Sequence, residues 1–316
     1  MDHFEGPEKK LEIILSEPAP RLRGNDDGRW NRVVRAGGAE ILQSLHTPSV
    51  DAYLLSESSL FVWDNRLVMI TCGQTTPALA LPEILKFVDP ALISGLFYER
   101  KNLNFPDQQP TDFDQDRRYL SGFFPKGQSF LFGSPERDHV HMFYYARQRQ
   151  AGPQAAVLRV LMNDIDPEVG ALFSPEADPD RLHALTLGKL SFFDESVMLD
   201  NYFFQPQGYS LNGVSGAHYL TLHVTPESPA SYSSLETSLL DENDCGTIID
   251  EIAGLFEPKR FCLFLKSPCD DHCRRMHRTL PDSTGGFERL EVVQRQLDPG
   301  CRVTFANFQR SSGGFT

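Results

Sequence analysis

Cysteine is scarce in this chain, and its six residues are scattered between positions 72 and 301. A secreted disulfide scaffold needs a dense and regular cysteine framework, so this spacing favours reduced thiols. The first residues lack the basic and then apolar profile of a signal peptide, and no apolar run is long enough to span a membrane. We therefore expect a cytoplasmic protein.

Positive charge is also scarce. The 316 residues carry 30 Lys and Arg against 43 Asp and Glu, which gives a formal net charge of −13. This balance argues against nucleic acid or an anionic membrane as the main partner, and it mildly suits a cationic ligand. A hydrophobic content of 40% is ordinary for a globular protein, and the length allows one large domain or two small ones.

A polar run, Ser-Glu-Ser-Ser at positions 56–59, separates two apolar runs of strand composition. By pattern alone, such a run is typical of a solvated bend. Thr71-Cys72-Gly73 follows after another apolar run, and a single cysteine is by itself typical of a small buried hydrophobic residue. The spacing between the two segments is what points beyond these simple interpretations.

Together, the two segments resemble the self-cleavage site of eukaryotic S-adenosylmethionine decarboxylase, a pyruvoyl enzyme whose proenzyme is cut within a Leu-Ser-Glu-Ser-Ser motif. The resemblance implies a cut between Glu57 and Ser58 of a single domain, giving a β chain of residues 1–57 and an α chain of residues 58–316. The implied cofactor is a covalent pyruvoyl group made from Ser58. Such a carbonyl can form a Schiff base with a substrate amine and act as an electron sink for decarboxylation.

Three further blocks match the family in the same order. They are Phe-Glu-Gly-x-Glu-Lys at 4–9, Gly-Tyr-Ser-x-Asn-Gly at 208–213 and His-x-Thr-Pro-Glu at 223–227. By pattern alone they would be an edge strand with solvated acids, a hairpin turn and a strand carrying a surface His–Glu pair. Any one block could arise by chance, but four blocks in order are hard to explain otherwise.

The resemblance implies a role for each matching residue. The implied catalytic residues are Ser58, Cys72, Glu8, Ser210 and His223. The implied substrate-binding residues are Phe4, Glu5, Leu55, Phe204 and Glu227. In this scheme Phe4 and Phe204 enclose adenine, Glu227 binds ribose hydroxyls and Ser210 assists processing. Cys72 donates a proton after CO2 leaves, which suits a thiol that is protonated at neutral pH, and His223 is the base for the elimination step.

The resemblance also implies a fold, the four-layer α/β/β/α sandwich of two antiparallel sheets flanked by helices, whereas periodicity alone indicates only the α+β class. Apolar periodicity predicts a helix over Trp30–His46, although the glycines at 37 and 38 weaken its middle. Two strands joined at Asp64-Asn65 are predicted between Asp51 and Thr71. Short helical pieces are predicted over 167–173 and 178–187.

Several animal members of the family bind putrescine as an activating diamine through acidic residues. Three polar positions of that region are occupied here by His183, Leu185 and Leu187. Ile70 stands where the family has a lysine, whereas Glu12 and Glu236 match acids associated with the site. We therefore expect little or no activation by putrescine.

Two groups of side chains raise the question of a metal site. His139 and His141 share one strand face by period two, but no third ligand lies nearby in the sequence. The second group is Cys269, His272, Cys273 and His277. Its spacing matches no common zinc pattern and the family uses no metal, so we expect no metal ion.

The leading hypothesis is a decarboxylase that supplies the aminopropyl donor for spermidine and spermine synthesis. A pyruvoyl decarboxylase of another amino acid is an alternative, suggested by Ile70, Glu99 and Gln207. Three residues that the resemblance assigns to adenosine binding are retained, which argues against this alternative: Phe4, Phe204 and Glu227. Another alternative is a non-catalytic, prozyme-like partner, which could lose the cleavage serine and its helpers without penalty. A homodimer is left open by the sequence.

Overall fold

The structure is a computed structural model that describes residues 4–24, 27–147, 155–176, 190–191, 196–240, 244–297 and 300–311. Seventeen strands in these ranges form two sheets, and neighbouring strands pair antiparallel throughout both. No helix among the described residues is both long and apolar enough to cross a bilayer.

The first sheet has eight strands in the order β2-β3-β4-β5-β1-β6-β8-β7. Their bounds are Lys9–Leu15 (β1), Ile41–His46 (β2), Asp51–Leu55 (β3), Ser58–Val62 (β4), Arg66–Thr71 (β5), Ile93–Lys101 (β6), Gln128–Phe132 (β7) and Val140–Ala146 (β8). Strand β1 therefore lies in the middle of the sheet, between β5 and β6.

The second sheet has nine strands in the order β10-β11-β12-β13-β9-β14-β17-β16-β15. Their bounds are Val157–Asn163 (β9), Met198–Phe203 (β10), Tyr209–Ser215 (β11), His218–Thr225 (β12), Tyr232–Thr237 (β13), Arg260–Pro268 (β14), Ser283–Thr284 (β15), Phe287–Leu297 (β16) and Cys301–Arg310 (β17). Three consecutive hairpin-connected strands, β11 to β13, carry most of the residues that this sheet contributes to the site described below.

Six α-helices accompany the sheets within the described ranges. They are Arg29–Ala36 (α1), Leu81–Ile84 (α2), Phe113–Phe123 (α3), Pro167–Gly170 (α4), Asp244–Phe256 (α5) and Asp271–Arg278 (α6). Short 3-10 turns occupy Pro77–Ala80, Pro90–Leu92, Pro106–Gln108 and Ala171–Phe173. Helix α3 begins with a reciprocal capping box in which Asp112 and Gln115 satisfy each other's backbone N–H groups.

The buried apolar residues show that the layers are stacked as a four-layer α/β/β/α sandwich. On the outer face of the first sheet, Leu11 of β1 and Val33 of α1 belong to one buried apolar cluster. On the outer face of the second sheet, Leu263 of β14 and Ile249 of α5 belong to another. Residues of both sheets meet in the middle, for example Phe61 and Tyr219 with ring centroids 4.7 Å apart. The expected fold is confirmed.

Two local predictions need correction, and a third cannot be compared with the described residues. The predicted helix over Trp30–His46 ends at Ala36, because Gly37 closes it and Gly38 adopts φ +94°, after which the chain forms strand β2. The region from Asp51 to Thr71 forms three strands instead of two, since Ser56 and Glu57 make a turn between β3 and β4. The helix predicted over 178–187 lies outside the described residues.

Candidate active site

The bond between Glu57 and Ser58 lies in a tight turn that joins β3 to β4. Leu55, the last residue of β3, pairs with Ser58, the first residue of β4. The φ angle of Ser58 is +128°, a region that residues with a Cβ atom rarely adopt. Backbone strain of this kind costs on the order of 1–3 kcal/mol and persists only where the surrounding structure holds it.

Strand β5 brings two hydrogen-bond donors to the carbonyl oxygen of Glu57. Ser58 pairs with Thr71, so Cys72 follows directly beside the turn. The Cys72 backbone N–H donates to the Glu57 oxygen over 3.0 Å, and the Cys72 Sγ lies 3.5 Å from the same oxygen. This is the arrangement that stabilises a developing oxyanion, because both donors converge on one carbonyl oxygen before any reaction begins.

The second sheet supplies a histidine to the same turn. His223 on β12 is buried, and its Nδ1 and Nε2 lie 3.2 Å and 3.3 Å from the Ser58 Oγ. The Nδ1 atom is also 2.7 Å from the Glu8 Oε1 on the opposite sheet. Since a carboxylate can only accept, Nδ1 carries the proton in this pair, and Nε2 is the acceptor.

Glu8 is held ionised by its neighbours. Although burial raises the pKa of Glu8, the hydrogen bond and charge of His223 and the charge of Arg159 lower it to about 2. Ser234 also donates to the Glu8 Oε1, and the Arg159 guanidinium lies 3.3 Å from Oε2. Glu8 therefore orients the imidazole and lies behind it, away from the cavity.

Four polar residues that support this arrangement were missed at the sequence level: Ser59, Asn212, Thr221 and Ser234. The Thr221 Oγ1 lies 2.9 Å from the His223 Nε2, and the Ser59 Oγ lies 3.0 Å from the same atom. Ser59 donates to the Asn212 Oδ1 over 2.6 Å. Period two along β12 places Thr221 and His223 on one face, so this contact had a signal in the sequence, whereas the Ser234 contact with Glu8 had none.

A cavity of about 230 Å³ opens beside the turn. Eight of the expected residues line it: Phe4, Glu57, Ser58, Cys72, Phe204, Ser210, His223 and Glu227. Two aromatic side chains from distant segments, Phe4 and Phe204, thus face one space. The Phe4 N–H donates to the Glu227 Oε2 over 3.2 Å, which ties the N-terminal segment to the end of β12. Gln207 also lines the cavity.

Two residues expected to bind substrate lie outside the cavity lining. The Glu5 carboxylate accepts hydrogen bonds from the backbone N–H groups of Asn104 and Phe105, at 2.9 Å and 2.7 Å. Leu55 is fully buried in the apolar core between the first sheet and its helices. In this structure their contacts are therefore with the protein itself.

The thiol of Cys72 is suited to hold a proton. Burial and the nearby charges of Glu57 and Glu8 raise the pKa of Cys72 well above its usual value. A thiol with a raised pKa stays protonated at neutral pH and can act as a general acid.

A family model described as adenosylmethionine decarboxylase matches residues 1–309. The chain belongs to the adenosylmethionine decarboxylase family. The S-adenosylmethionine decarboxylase proenzyme of Drosophila melanogaster is 31% identical over 98% of this chain and 96% of its own length. That of Dictyostelium discoideum is 30% identical over 97% of this chain and 89% of its own length.

A solved structure supports the same fold. The crystal structure of a Trypanosoma brucei AdoMetDC monomer matches 80% of this chain and 99% of its own length, with a TM-score of 0.65 and 22% sequence identity. At this identity the likeness concerns the fold, and it agrees with the sandwich described above.

Behind the site of this family member, charged side chains form a buried ion-pair cluster between the sheets. Its members are Lys10, Glu12, Arg66, Glu99, Arg159, Glu236 and Lys266. Glu12 lies 2.7 Å from Arg66 and 2.6 Å from Lys266. Glu236 lies 2.7 Å from Lys10 and 3.0 Å from Arg159. Each carboxylate of the cluster thus has two cationic neighbours.

The Cys269–His277 group forms ordinary protein contacts where its members are described. Residues 271–278 fold into helix α6, and Cys273 and Met276 pack into the core. The His277 ring nitrogens lie 2.8 Å from the Ser267 Oγ and 2.7 Å from the Thr304 Oγ1. Among the described residues, no group of three or more His, Cys, Asp or Glu side chains is arranged to hold a metal ion.

Proposed function

We propose that this chain is a self-cleaving S-adenosylmethionine decarboxylase that makes decarboxylated S-adenosylmethionine for spermidine and spermine synthesis. One observation carries the proposal: the strained Glu57–Ser58 bond lies between the His223 imidazole and two donors from Cys72. These are the groups that a serine needs in order to attack the carbonyl just before it.

We assign the first stage of self-cleavage to Ser58. Its Oγ attacks the Glu57 carbonyl carbon while His223 accepts the hydroxyl proton and Cys72 hydrogen-bonds the oxyanion. The amide becomes an ester when the Glu57–Ser58 C–N bond breaks and the nitrogen takes up the proton. Because Ser210 pairs with His223 in the β11–β12 register and lines the cavity, it is placed to assist the same step.

The second stage is an elimination. His223 removes the α-proton of Ser58, and the Cβ–Oγ bond breaks so that Glu57 leaves as a carboxylate. Water then converts the resulting dehydroalanine into a pyruvoyl group with loss of ammonia. The chains produced would be residues 1–57 and 58–316 of one domain.

The pyruvoyl group supplies an electrophilic carbonyl that takes up the substrate amine and accepts electrons as CO2 leaves. The chain's own residues bind the substrate and donate the proton. Phe4 and Phe204 offer two aromatic faces to a flat base, and the Glu227 carboxylate can accept hydrogen bonds from ribose hydroxyls. The protonated Cys72 thiol lies beside residue 58 and is placed to donate a proton to the decarboxylated carbon.

Intact mass spectrometry of the purified wild type and of Ser58→Ala tests the proposal. We expect two fragments from the wild type, the larger with a blocked N-terminus, and an uncut chain from the variant. Ser56→Ala is the matched control, because Ser56 lies in the same turn but its hydroxyl accepts a hydrogen bond from the Glu40 backbone N–H. A wild-type chain that stays whole after long incubation would favour the partner-subunit alternative.

The cut protein should release CO2 from S-adenosylmethionine, and Phe204→Leu should raise KM more than it lowers kcat. The pyruvoyl decarboxylase of another amino acid would instead be supported by a cut chain that gives no CO2 from this substrate. The aromatic substitution then separates adenine binding from chemistry, because it leaves Ser58, Cys72 and His223 in place.

We also propose that the enzyme needs no diamine activator. In the ion-pair cluster, Glu12 and Glu236 already have cationic partners within the chain, and Ile70 packs in the apolar core beside Tyr219. A diamine would have to displace Lys10 or Lys266. Cleavage and CO2 release should therefore be the same with and without millimolar putrescine, and clear stimulation by putrescine would contradict this.

The location and assembly of the protein follow from the same proposal. We place the enzyme in the cytoplasm, with S-adenosylmethionine as its ligand and no nucleic acid or membrane partner. Cell fractionation tests the first point, and sedimentation analysis distinguishes a monomer from a homodimer.

A further inference from the structure

Self-cleavage as described above leaves the side chain of Glu57 without a role, yet this side chain lies inside the reaction pocket. It lines the cavity together with Ser58 and Cys72. Its Oε2 is buried and accepts no hydrogen bond from any described residue. A carboxylate oxygen in this condition is unusual, because buried polar atoms are nearly always hydrogen-bonded.

Gly73 makes room for this carboxyl group. A Cβ atom at Gly73 would lie 2.4 Å from the Glu57 Oε2 and 3.2 Å from a ring carbon of Phe4. The glycine also has φ +59°, a conformation that residues with side chains seldom adopt. The backbone at this position therefore holds the Glu57 carboxyl group closely between the cleavage turn and the N-terminal segment.

Lys9 is the one described cation that lowers the pKa of Glu57, but it does not pair with it. The three N–H donors of its ammonium group have three acceptors: the Gly73 oxygen at 2.9 Å, the Thr75 oxygen at 2.6 Å and the Gln109 Oε1 at 2.7 Å. The other titratable groups that line the pocket are Cys72, Tyr209, His223 and Glu227. None of these donates a hydrogen bond to the Glu57 Oε2.

We propose that the Glu57 side chain is a brake on self-cleavage, so that the chain is cut faster when this carboxyl group is protonated than when it is ionised. The inference rests on the proposed self-cleaving function and adds a regulating residue to it.

The reason is that each stage of cleavage places negative charge on Glu57 itself. Attack by the Ser58 Oγ turns the Glu57 carbonyl oxygen into an oxyanion, and the Cβ–Oγ bond then breaks to leave an α-carboxylate on the same residue. An ionised side chain a few bonds away, in a site shielded from water, opposes both charges. A protonated side chain does not.

The environment places this change near neutral pH. Burial raises the pKa of the Glu57 carboxyl group from 4.5 to about 7, against the opposing effect of Lys9. The protonated, fast-cutting form thus predominates below this pH and is lost as the pH rises through it. Freshly made chains would mature at a rate that depends on pH.

The test compares Glu57→Gln with the wild type. Full-length chains made by translation in vitro are moved into buffers between about pH 6 and about pH 8.5, and the two fragments are followed over time. Since glutamine imitates the protonated acid, both chains should be cut at similar rates at the acidic end. At the alkaline end, about 1.5 units above that pKa, the variant should be cut up to about 30-fold faster, because each pKa unit corresponds to a factor of about ten.

The ratio of the two rates is the decisive quantity. Titration of Lys9, whose pKa burial lowers to about 8, affects both chains and cancels in the ratio. Glu40→Gln is the control, because Glu40 is exposed and its backbone contacts the same turn. A ratio that stays constant with pH, or a variant that is slower throughout, overturns the brake. A wild type that is never cut overturns the proposed function instead.

Discussion

The ion-pair cluster and the reaction pocket lie between the same two sheets but treat charge in opposite ways. In the cluster, every carboxylate has two cationic partners, as Glu12 has in Arg66 and Lys266. In the pocket, the Glu57 Oε2 accepts no hydrogen bond from any described residue, and the Cys72 thiol is buried. The carboxylates of the cluster are therefore each paired with cations, whereas the Glu57 carboxylate a few strands away is not.

The difference shows how one protein interior can keep some groups charged and leave others able to hold a proton. Partner charges lower the pKa of Glu12 and raise that of Lys266, against the opposite effect of burial, so both stay charged across the neutral range. Burial raises the pKa of Glu57, and burial together with the charges of Glu57 and Glu8 raises that of Cys72, so these groups can hold a proton. Glu8 connects the two regions, since its Oε2 lies near Arg159 and its Oε1 contacts His223.

The largest effect should follow from removing the imidazole of the pocket. We expect His223→Ala to slow self-cleavage by about 100-fold to 10,000-fold, the range typical for loss of a general base. His218→Ala on the same strand is the control, because His218 is exposed and its ring contacts the Ser238 backbone oxygen. Cleavage at the wild-type rate in His223→Ala would remove this histidine from the proposed mechanism.

Removing one member of the ion-pair cluster should lower the free energy of unfolding. Arg159→Met leaves Glu99 and Glu236 with fewer partners, and removing one member of a buried ion pair costs about 3–5 kcal/mol. Urea unfolding in the uncut Ser58→Ala background measures the loss. The control Arg260→Met removes a half-exposed arginine paired with Asp138 and Asp164, and it should cost less than about 1 kcal/mol.

The pH dependence of stability should have opposite signs in the two regions. Carboxylates with lowered pKa values, such as Glu8 at about 2, contribute stability that is present above their unfolded pKa and is lost as the pH falls through the folded value. The uncut Ser58→Ala chain should therefore lose stability steadily below about pH 4. A urea midpoint that stays constant down to this acidic range would contradict the pairing of the cluster.

The smallest effect concerns Glu57, which should behave in the reverse sense. Its raised pKa means that ionisation destabilises the fold as the pH rises from 4.5 to about 7. Glu57→Gln in the Ser58→Ala background should leave stability unchanged in acid and raise it by up to about 1 kcal/mol above neutrality, a modest value because Glu57 is partly exposed. Equal urea midpoints at both ends of this range would show that the carboxyl group finds a partner in solution.

The motifs at 56–59 and 223–227 could be located from sequence because each depends on a few adjacent residues. The same holds for the hairpin around Asp64 and Asn65, whose turn composition is local. The four-layer fold came from the resemblance, since alternation within strands indicates which residues are buried but not which sheet lies opposite.

What sequence reasoning missed depends on contacts between distant segments. The Glu8–His223 pair joins residues 215 positions apart, and the Lys266–Glu12 pair joins residues 254 positions apart. Gly37 also ends helix α1, although the apolar spacing of the sequence continues beyond it. Pattern alone placed these acids and His223 at the surface, whereas the contacts between distant segments bury Glu8, Glu12 and His223.

The position of β1 affects how the protein could refold after the proposed cut. This strand is hydrogen-bonded on one side to β5 and on the other to β6, which both follow the proposed cut, whereas β1 precedes it. The short fragment therefore supplies a central strand of the first sheet. It cannot dissociate unless the hydrogen bonds of β1 to β5 and β6 break. Once cut, the two pieces would have to find each other by diffusion after unfolding, whereas the uncut chain pays only the entropy of closing a loop. The proposed cut would therefore make refolding depend on the concentration of both fragments.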